Sequence, residues 1–243
     1  MRTRIFPIAA AIVIGWIGVV GFFGCSSGPK KERTSLAEQM AQDANLSIVL
    51  SQKFEPTFAL RNDPILATYL RRVALKLMSQ TKAFEGVGVG VLLIDNRRAA
   101  WRNYSLPGVK VYFSANLLKY LGFENEAAAA IAFELGHLIN RHVARKIFSD
   151  RIPEEVFQYS EEELSAALTS AVGILYRGGY DPRGLVSLWS VYQRFPQYAP
   201  LPIDTIDRLK EETYTRISEL APLRNPIIQT EEYTKLKPRL QGL

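Results

Sequence analysis

Phe133-Glu134-Leu135-Gly136-His137 has the spacing of H-E-x-x-H, with phenylalanine where the first histidine would stand. In the full pattern two histidines four residues apart share one helix face. They hold a single zinc ion while the glutamate between them takes a proton from the bound water. Here Glu134 keeps the position of the base and His137 that of the second ligand, but the Phe133 ring has no lone pair to offer. The chain has only one other histidine, His142. Five residues of unbroken helix turn by roughly 500°, which leaves the two imidazoles about 140° apart and predicts that they do not converge on one ion. The single cysteine, Cys25, lies at the end of an apolar N-terminal run. A catalytic zinc needs three protein ligands and an open position, so any metal would rest on His137 and carboxylates alone, and none is expected.

The elements that must position these residues can be read from periodicity and caps. Ser35-Leu36-Ala37-Glu38 has the form of a capping box and opens a helix to about Lys53, and Asp63-Pro64 opens a second through Leu66, Tyr69, Leu70, Val73 and Leu77. Val87 to Ile94 is an uncharged apolar run with β-branched residues at Val87, Val89, Val91 and Ile94, ended by Asp95-Asn96, which predicts a buried strand; Val109 to Phe113, after Pro107-Gly108, predicts another. Glu126 to Phe148 reads as one long apolar helix bearing the motif, with further helices at about Glu161–Arg177, Pro182–Gln193 and Asp204–Leu220. The expected fold class is α+β: a mainly helical domain with a small sheet beside the motif helix.

The N-terminus has its own logic. Arg2 and Arg4 precede an uncharged apolar run from Ile5 to Gly24, which meets Gly24-Cys25-Ser26-Ser27 and then a polar stretch. This layout predicts a lipoprotein signal over 1–24, a lipidated Cys25 with a polar linker over 25–34, and one domain over 35–243. Phe22, three positions before the cysteine, departs from the usual Leu or Val. Twenty apolar residues also span roughly 30 Å as a helix, so an uncleaved inner-membrane anchor is the alternative. Either way the folded part faces away from Arg2 and Arg4. Ser26 and Ser27, rather than Asp, favour outer-membrane sorting with the domain facing the periplasm. The formal charge is +6, but residues 1–39 carry five Lys/Arg and two Glu, which leaves 25 basic and 22 acidic side chains on the remainder. A balance of +3 predicts no nucleic-acid partner.

Several short stretches, in order, resemble metallopeptidase family forty-eight, the zinc peptidases that include prenyl-protein proteases and periplasmic outer-membrane-assembly peptidases. Asn103-Tyr104-Ser105-Leu106-Pro107-Gly108-Val109 resembles the family's N-A-x-x-x-P-G-G turn, with Val109 for the second glycine. Val111-Tyr112-Phe113-Ser114 is similar to the strand that edges the substrate cleft, Glu126 to His142 to the active-site helix, and Gly179-Tyr180-Asp181-Pro182 to the marker after the third-ligand helix. The resemblance places the third zinc ligand, a glutamate, on Leu164 and its aspartate partner on Leu168. Arg216-Ile217 resembles a C-terminal segment that in the family carries a histidine, absent here. The stretch after His142 is shorter than the family's, so a loop that plugs or lines the cleft is expected to be missing.

What the resemblance implies is a zincin-like domain whose zinc site is degenerate: Glu134 a vestigial general base, His137 a vestigial ligand, Phe133 and Leu164 filling the metal cavity. The leading expectation is a non-catalytic envelope lipoprotein that keeps the cleft as a binding surface, with Val109, Val111, Tyr112, Phe113 and Ser114 offering backbone to an extended segment. Its partners would be the lipid membrane through Cys25 and unfolded or assembling outer-membrane proteins, or an active relative. An active zinc endopeptidase using His137, Glu134 and Glu162 or Glu163 is the first alternative, and a passive structural lipoprotein the second.

Overall fold

The computed structural model describes residues 36–147 and 153–242; the signal segment and Cys25 lie outside them. A first helix α1 (Leu36–Phe54) leads through a short strand β1 (Leu60–Arg61) into α2 (Pro64–Met78). The Asp63 carboxylate accepts the Leu66 N–H at 3.2 Å and Pro64 needs no acceptor in the first turn, so α2 starts where its cap residues dictate. The stripe read from spacing, Leu66, Tyr69, Leu70, Val73 and Leu77, is buried. No helix among the described residues is long and apolar enough to cross a membrane.

Strands β2 (Gly90–Ile94), β3 (Tyr104–Leu106) and β4 (Lys110–Ser114) join β1 in a mixed sheet of order β1-β2-β4-β3. β2 and β4 run parallel with Val91 opposite Val111, and β3 returns antiparallel with Ser105 opposite Val111. Alternation splits β4 between two cores: Val111 and Phe113 face the main core, and Tyr112 faces a second one built on Leu50, Phe54 and Phe157. The expectation that β4 edges the cleft is therefore corrected. β4 is paired on both sides, its backbone donors and acceptors are spent in the sheet, and Val109, Val111, Tyr112, Phe113 and Ser114 are fully buried. The edge nearest the motif helix belongs to β3.

Helices α3 (Ala115–Tyr120), α4 (Glu124–Ile139) and α5 (His142–Ile147) follow, then α6 (Glu161–Arg177), α7 (Gly184–Arg194), α8 (Ile203–Ser218) and α9 (Glu231–Gln241). α4 is the centre of the domain, buried from Glu124 to Leu138 except at Phe133, which is only partly covered. Its alanines let α2, α6 and α7 close upon it, and at Gly136 the backbones of α4 and α6 nearly touch. A β-carbon there would lie 2.3 Å from the Ala167 carbonyl oxygen.

The long helix expected from Glu126 to Phe148 is two helices. The Asn140 side chain bonds back to the Gly136 carbonyl at 2.8 Å and across to Ser170 at 3.0 Å, and Arg141 then adopts a left-handed backbone, φ 53°. A bidentate ion pair of Arg141 with the buried Asp43 of α1, at 2.9 and 3.1 Å, holds that conformation, with Gln39 as a third acceptor at 2.8 Å. Left-handed φ breaks the helical phase in one residue. α9 was not expected from the sequence, because only Tyr233 and Leu240 of it are buried and no periodicity results. It is fastened by the Tyr233 hydroxyl donating to the Leu121 carbonyl at 3.1 Å and by Arg239 to Asp63 at 2.8 Å. The Gly179-Tyr180-Asp181-Pro182 stretch docks the same C-terminal segment: Asp181 N–H donates to the Ile227 carbonyl, and the Tyr180 hydroxyl meets buried Glu124 at 3.0 Å.

Candidate functional site

α4, α6, α7 and the residues leading into β3 line a small cavity of about 40 Å³, enough to hold water. Phe133, Glu134, His137 and Leu164 all line it, so the four positions singled out from the sequence are brought together. Leu168 is not with them; it is fully buried in the main core one turn further along α6. Arg216 is elsewhere too, tied to Glu212 at 2.5 Å and to Ser165 at 3.2 Å, where it joins α8 to α6.

Two polar atoms in this cavity have no partner among the described residues: Glu134 Oε2 and His137 Nε2. Both side chains are buried, at 6% and 1% exposure, and a carboxylate taken from water without hydrogen bonds disfavours its charge. Burial accordingly pushes the Glu134 carboxyl up to about 7 despite the Ser105 hydroxyl and Arg102 nearby. Burial also holds His137 well below the ordinary imidazole range, helped by His142, Arg102 and Lys146.

His142 corrects the sequence reading. The left-handed Arg141 swings it back toward α4, so that His137 Nδ1 and His142 Nδ1 lie 2.9 Å apart instead of on faces 140° apart. Burial holds His142 down at about 4, partly offset by Glu163. With both rings neutral, one Nδ1–H donates to the other Nδ1. The pair is thus a hydrogen bond that consumes these nitrogens, and it leaves His137 Nε2 as the nitrogen aimed into the cavity.

The apolar side of the cavity is built by rings. Phe133 packs edge-on against Trp189 of α7, centroids 5.2 Å apart, and against His137 at 4.8 Å. Tyr159, which the sequence reading overlooked, stacks on His137 with centroids 3.8 Å apart and planes 26° from parallel. The connection after α5 is short, but it does not leave the cleft unlined as expected: Tyr159 at its end lies over the ring that would carry the metal. No sequence signal marked Tyr159, Trp189 or Arg102, because each reaches the cavity from a different element.

A catalytic zinc fits poorly here. Among the described residues, Glu134 Oε2 and His137 Nε2 are the buried, unpartnered side-chain atoms of this lining, whereas three protein ligands are required. Glu163, the carboxylate nearest in sequence to Leu164, is turned away to Lys146 at 2.6 Å and to the Ser160 N–H at 2.9 Å, and Glu162 accepts from the Ser160 hydroxyl at 2.8 Å. Among the described residues no group of three His, Cys, Asp or Glu is placed to hold a metal ion. The P-G-V turn adds a local mark: Gly108 and Val109 are both left-handed, φ 81° and 57°, a conformation that costs a β-branched residue dearly and is held by burying the valine completely.

The site has a pH signature. Below about pH 4.5 the Glu134 carboxyl is protonated in folded and unfolded chains alike; as pH rises through 7 the unfolded chain loses its proton first, and stability falls by about 3 kcal/mol. His142 acts oppositely, losing stability as pH falls from 6.5 toward 4. Glu134→Gln is therefore expected to be more stable than the parent at about pH 8 and nearly equal to it at about pH 4.5, as read by urea unfolding at both. A difference that does not change with pH would contradict the buried, proton-holding carboxyl.

No curated protein matches the chain. Residues 64–160, from the start of α2 through the motif helix to Tyr159 and the residue that caps α6, match the family described as Peptidase family M48. That match covers about two-fifths of the chain and, with the small mixed sheet beside the motif helix, supports a metallopeptidase-like α+β domain of the M48 type over those residues.

Proposed function

We propose that this chain is a catalytically silent member of the peptidase fold: a cell-envelope lipoprotein, anchored in the outer membrane through Cys25 and facing the periplasm, whose cleft binds polypeptide instead of cutting it. The observation that carries the reading is the ring packing at the motif. Phe133 against Trp189 and Tyr159 on His137 occupy the space around the two remaining donor atoms. Polypeptide capture along an edge strand depends on backbone hydrogen bonds and apolar pockets, neither of which requires zinc. Unfolded or assembling outer-membrane proteins, or an active relative, are the partners this reading names.

The test uses the full chain in mild detergent. Elemental analysis is expected to find only substoichiometric zinc, casein is expected to remain intact, and reduced carboxymethylated α-lactalbumin is expected to bind. Chelator-sensitive casein hydrolysis that vanishes in Glu134→Gln would overturn the reading in favour of a zinc endopeptidase with unusual ligands. Absence of both zinc and polypeptide binding would instead leave a passive structural lipoprotein.

A further inference from the structure

At the start of α4, the end opposite Arg141, the ends of α3 and α7 and the helix α9 come together in a face that mixes exposed rings with cations. Tyr120, Phe123 and Ile228 are exposed there, Phe123 at 48%, and the Ile228 carbonyl accepts the Asn125 N–H of α4 at 3.1 Å. The rings are held from beneath. Trp101 lies between Tyr120 and Tyr198, stacked on them with centroids 4.7 and 4.6 Å apart, and Phe195 closes on Tyr120 at 4.6 Å. The Lys237 ammonium is 5.3 Å from the centre of the Phe123 ring, and the Arg194 guanidinium 5.5 Å from that of Phe195. Lys119, next to Tyr120, is exposed. None of these three cations is ion-paired among the described residues. Glu126, the carboxylate that Arg194 and Lys237 both influence, is turned inward. It accepts the Gly122 N–H at 2.6 Å and the Phe123 N–H at 3.2 Å, and burial pushes its carboxyl up against the pull of those two cations. The face therefore presents aromatic surface and positive charge while its carboxylate is withdrawn.

We propose that this face docks on a membrane surface containing anionic phospholipid, with Tyr120 and Phe123 at the level of the headgroups and Lys119, Arg194 and Lys237 against their phosphates. This rests on the reading of the chain as a lipoprotein held at a membrane through Cys25. Aromatic side chains settle at the boundary between headgroups and hydrocarbon, and each lysine or arginine near an anionic surface strengthens binding about fivefold. The length of the chain permits anchor and face to engage one surface together. Leu36, the first residue of α1, follows Cys25 by 11 positions, a reach of up to about 40 Å. Gln39 is tied to Arg141, beyond the far end of α4, and the 16 residues of α4 rise roughly 24 Å. The tether therefore exceeds the helix it has to pass. A lipid anchor restrains position but not orientation, and a second contact with the same surface supplies the orientation. Docked on this face, the domain holds Glu134 and His137 within roughly 15–20 Å of the headgroups, counted along α4 from Glu124.

The experiment places the full chain in lipid nanodiscs of phosphatidylcholine alone, or of phosphatidylcholine with a third of phosphatidylglycerol, and reads hydrogen exchange. The amides from Lys119 to Phe123 are expected to exchange about tenfold more slowly in the anionic discs, an effect that half-molar salt removes. Lys119→Glu/Arg194→Glu/Lys237→Glu, confined to side chains without ion pairs, is expected to exchange alike in both discs. Equal exchange of the unaltered chain in the two discs overturns the proposal and leaves the face to a protein partner. Slowing that persists in the triple variant overturns it as well. A chain that does not stay with the discs loses the anchor reading, and the face is then tested alone by co-sedimentation with phosphatidylglycerol vesicles after dilution from detergent. Salt-reversible binding, weakened about 100-fold in the triple variant, keeps the face without the anchor; no binding sinks both.

Discussion

Gly136→Ala is expected to destabilise the domain by about 3 kcal/mol, a fall in melting temperature of about 10 °C for a chain of this size. The added β-carbon would meet the Ala167 carbonyl oxygen at 2.3 Å and the Ala167 Cα and carbonyl carbon at 3.0 Å. All three atoms are backbone of α6, so no side chain can turn aside, and α4 and α6 must move apart along this backbone contact. That contact also sets the distance between Leu164 on one helix and Phe133 and His137 on the other, so the cavity should open as the helices part. Gly88→Ala is the control, since nothing lies within 4 Å of its added carbon. A melting temperature for Gly136→Ala within about 2 °C of the parent would show that the helices are not in backbone contact.

The second large effect concerns restoration of the lost ligands. Phe133→His/Leu164→Glu recreates the two-histidine, one-glutamate set around Glu134, and a merely drifted enzyme would then take up zinc and cut. The structure predicts otherwise. Phe133 supports Trp189, and His137 is engaged by His142 through Nδ1 and by Tyr159 through its face. Leu164 is 2% exposed, so its replacement places an unpaired carboxylate beside a Glu134 that is itself short of partners. The double variant is expected to lose about 3–5 kcal/mol without metal and to leave casein intact. Leu168, in the place of the carboxylate that would orient the third ligand, adds a further loss of about 10- to 100-fold in metal affinity. Stoichiometric zinc with robust casein hydrolysis in this variant would mean that the site is lightly damaged and the binding role misassigned.

Much of the domain was legible along the chain. Asp63-Pro64 opens α2 because a carboxylate cap and a proline act within one turn, and α6 runs over Glu161–Arg177 as its apolar spacing requires. These are local effects, settled by neighbours three or four residues away. The substitution at Phe133 was equally visible, since a metal ligand is a matter of residue type. The family match over residues 64–160 takes in the short motifs from Asn103 to His142, whereas Gly179–Pro182 and Arg216-Ile217 lie beyond it.

What tertiary structure decided lies at greater separations. The break after Ile139 depends on Arg141 meeting Asp43, 98 residues earlier, and no helical period can register that ion pair. It turned two histidines placed on different faces of one helix into a hydrogen-bonded pair. β4 became an inner strand because β3, three residues long and hidden within a turn motif, pairs with it. Tyr159 came to lie on His137 through clamps from Arg102, Lys146 and Glu163, which belong to three separate segments. The residue types that could do chemistry were therefore fixed in the chain, whereas what surrounds them was set by long-range contacts, whose partners are chosen only when the helices and the sheet have closed.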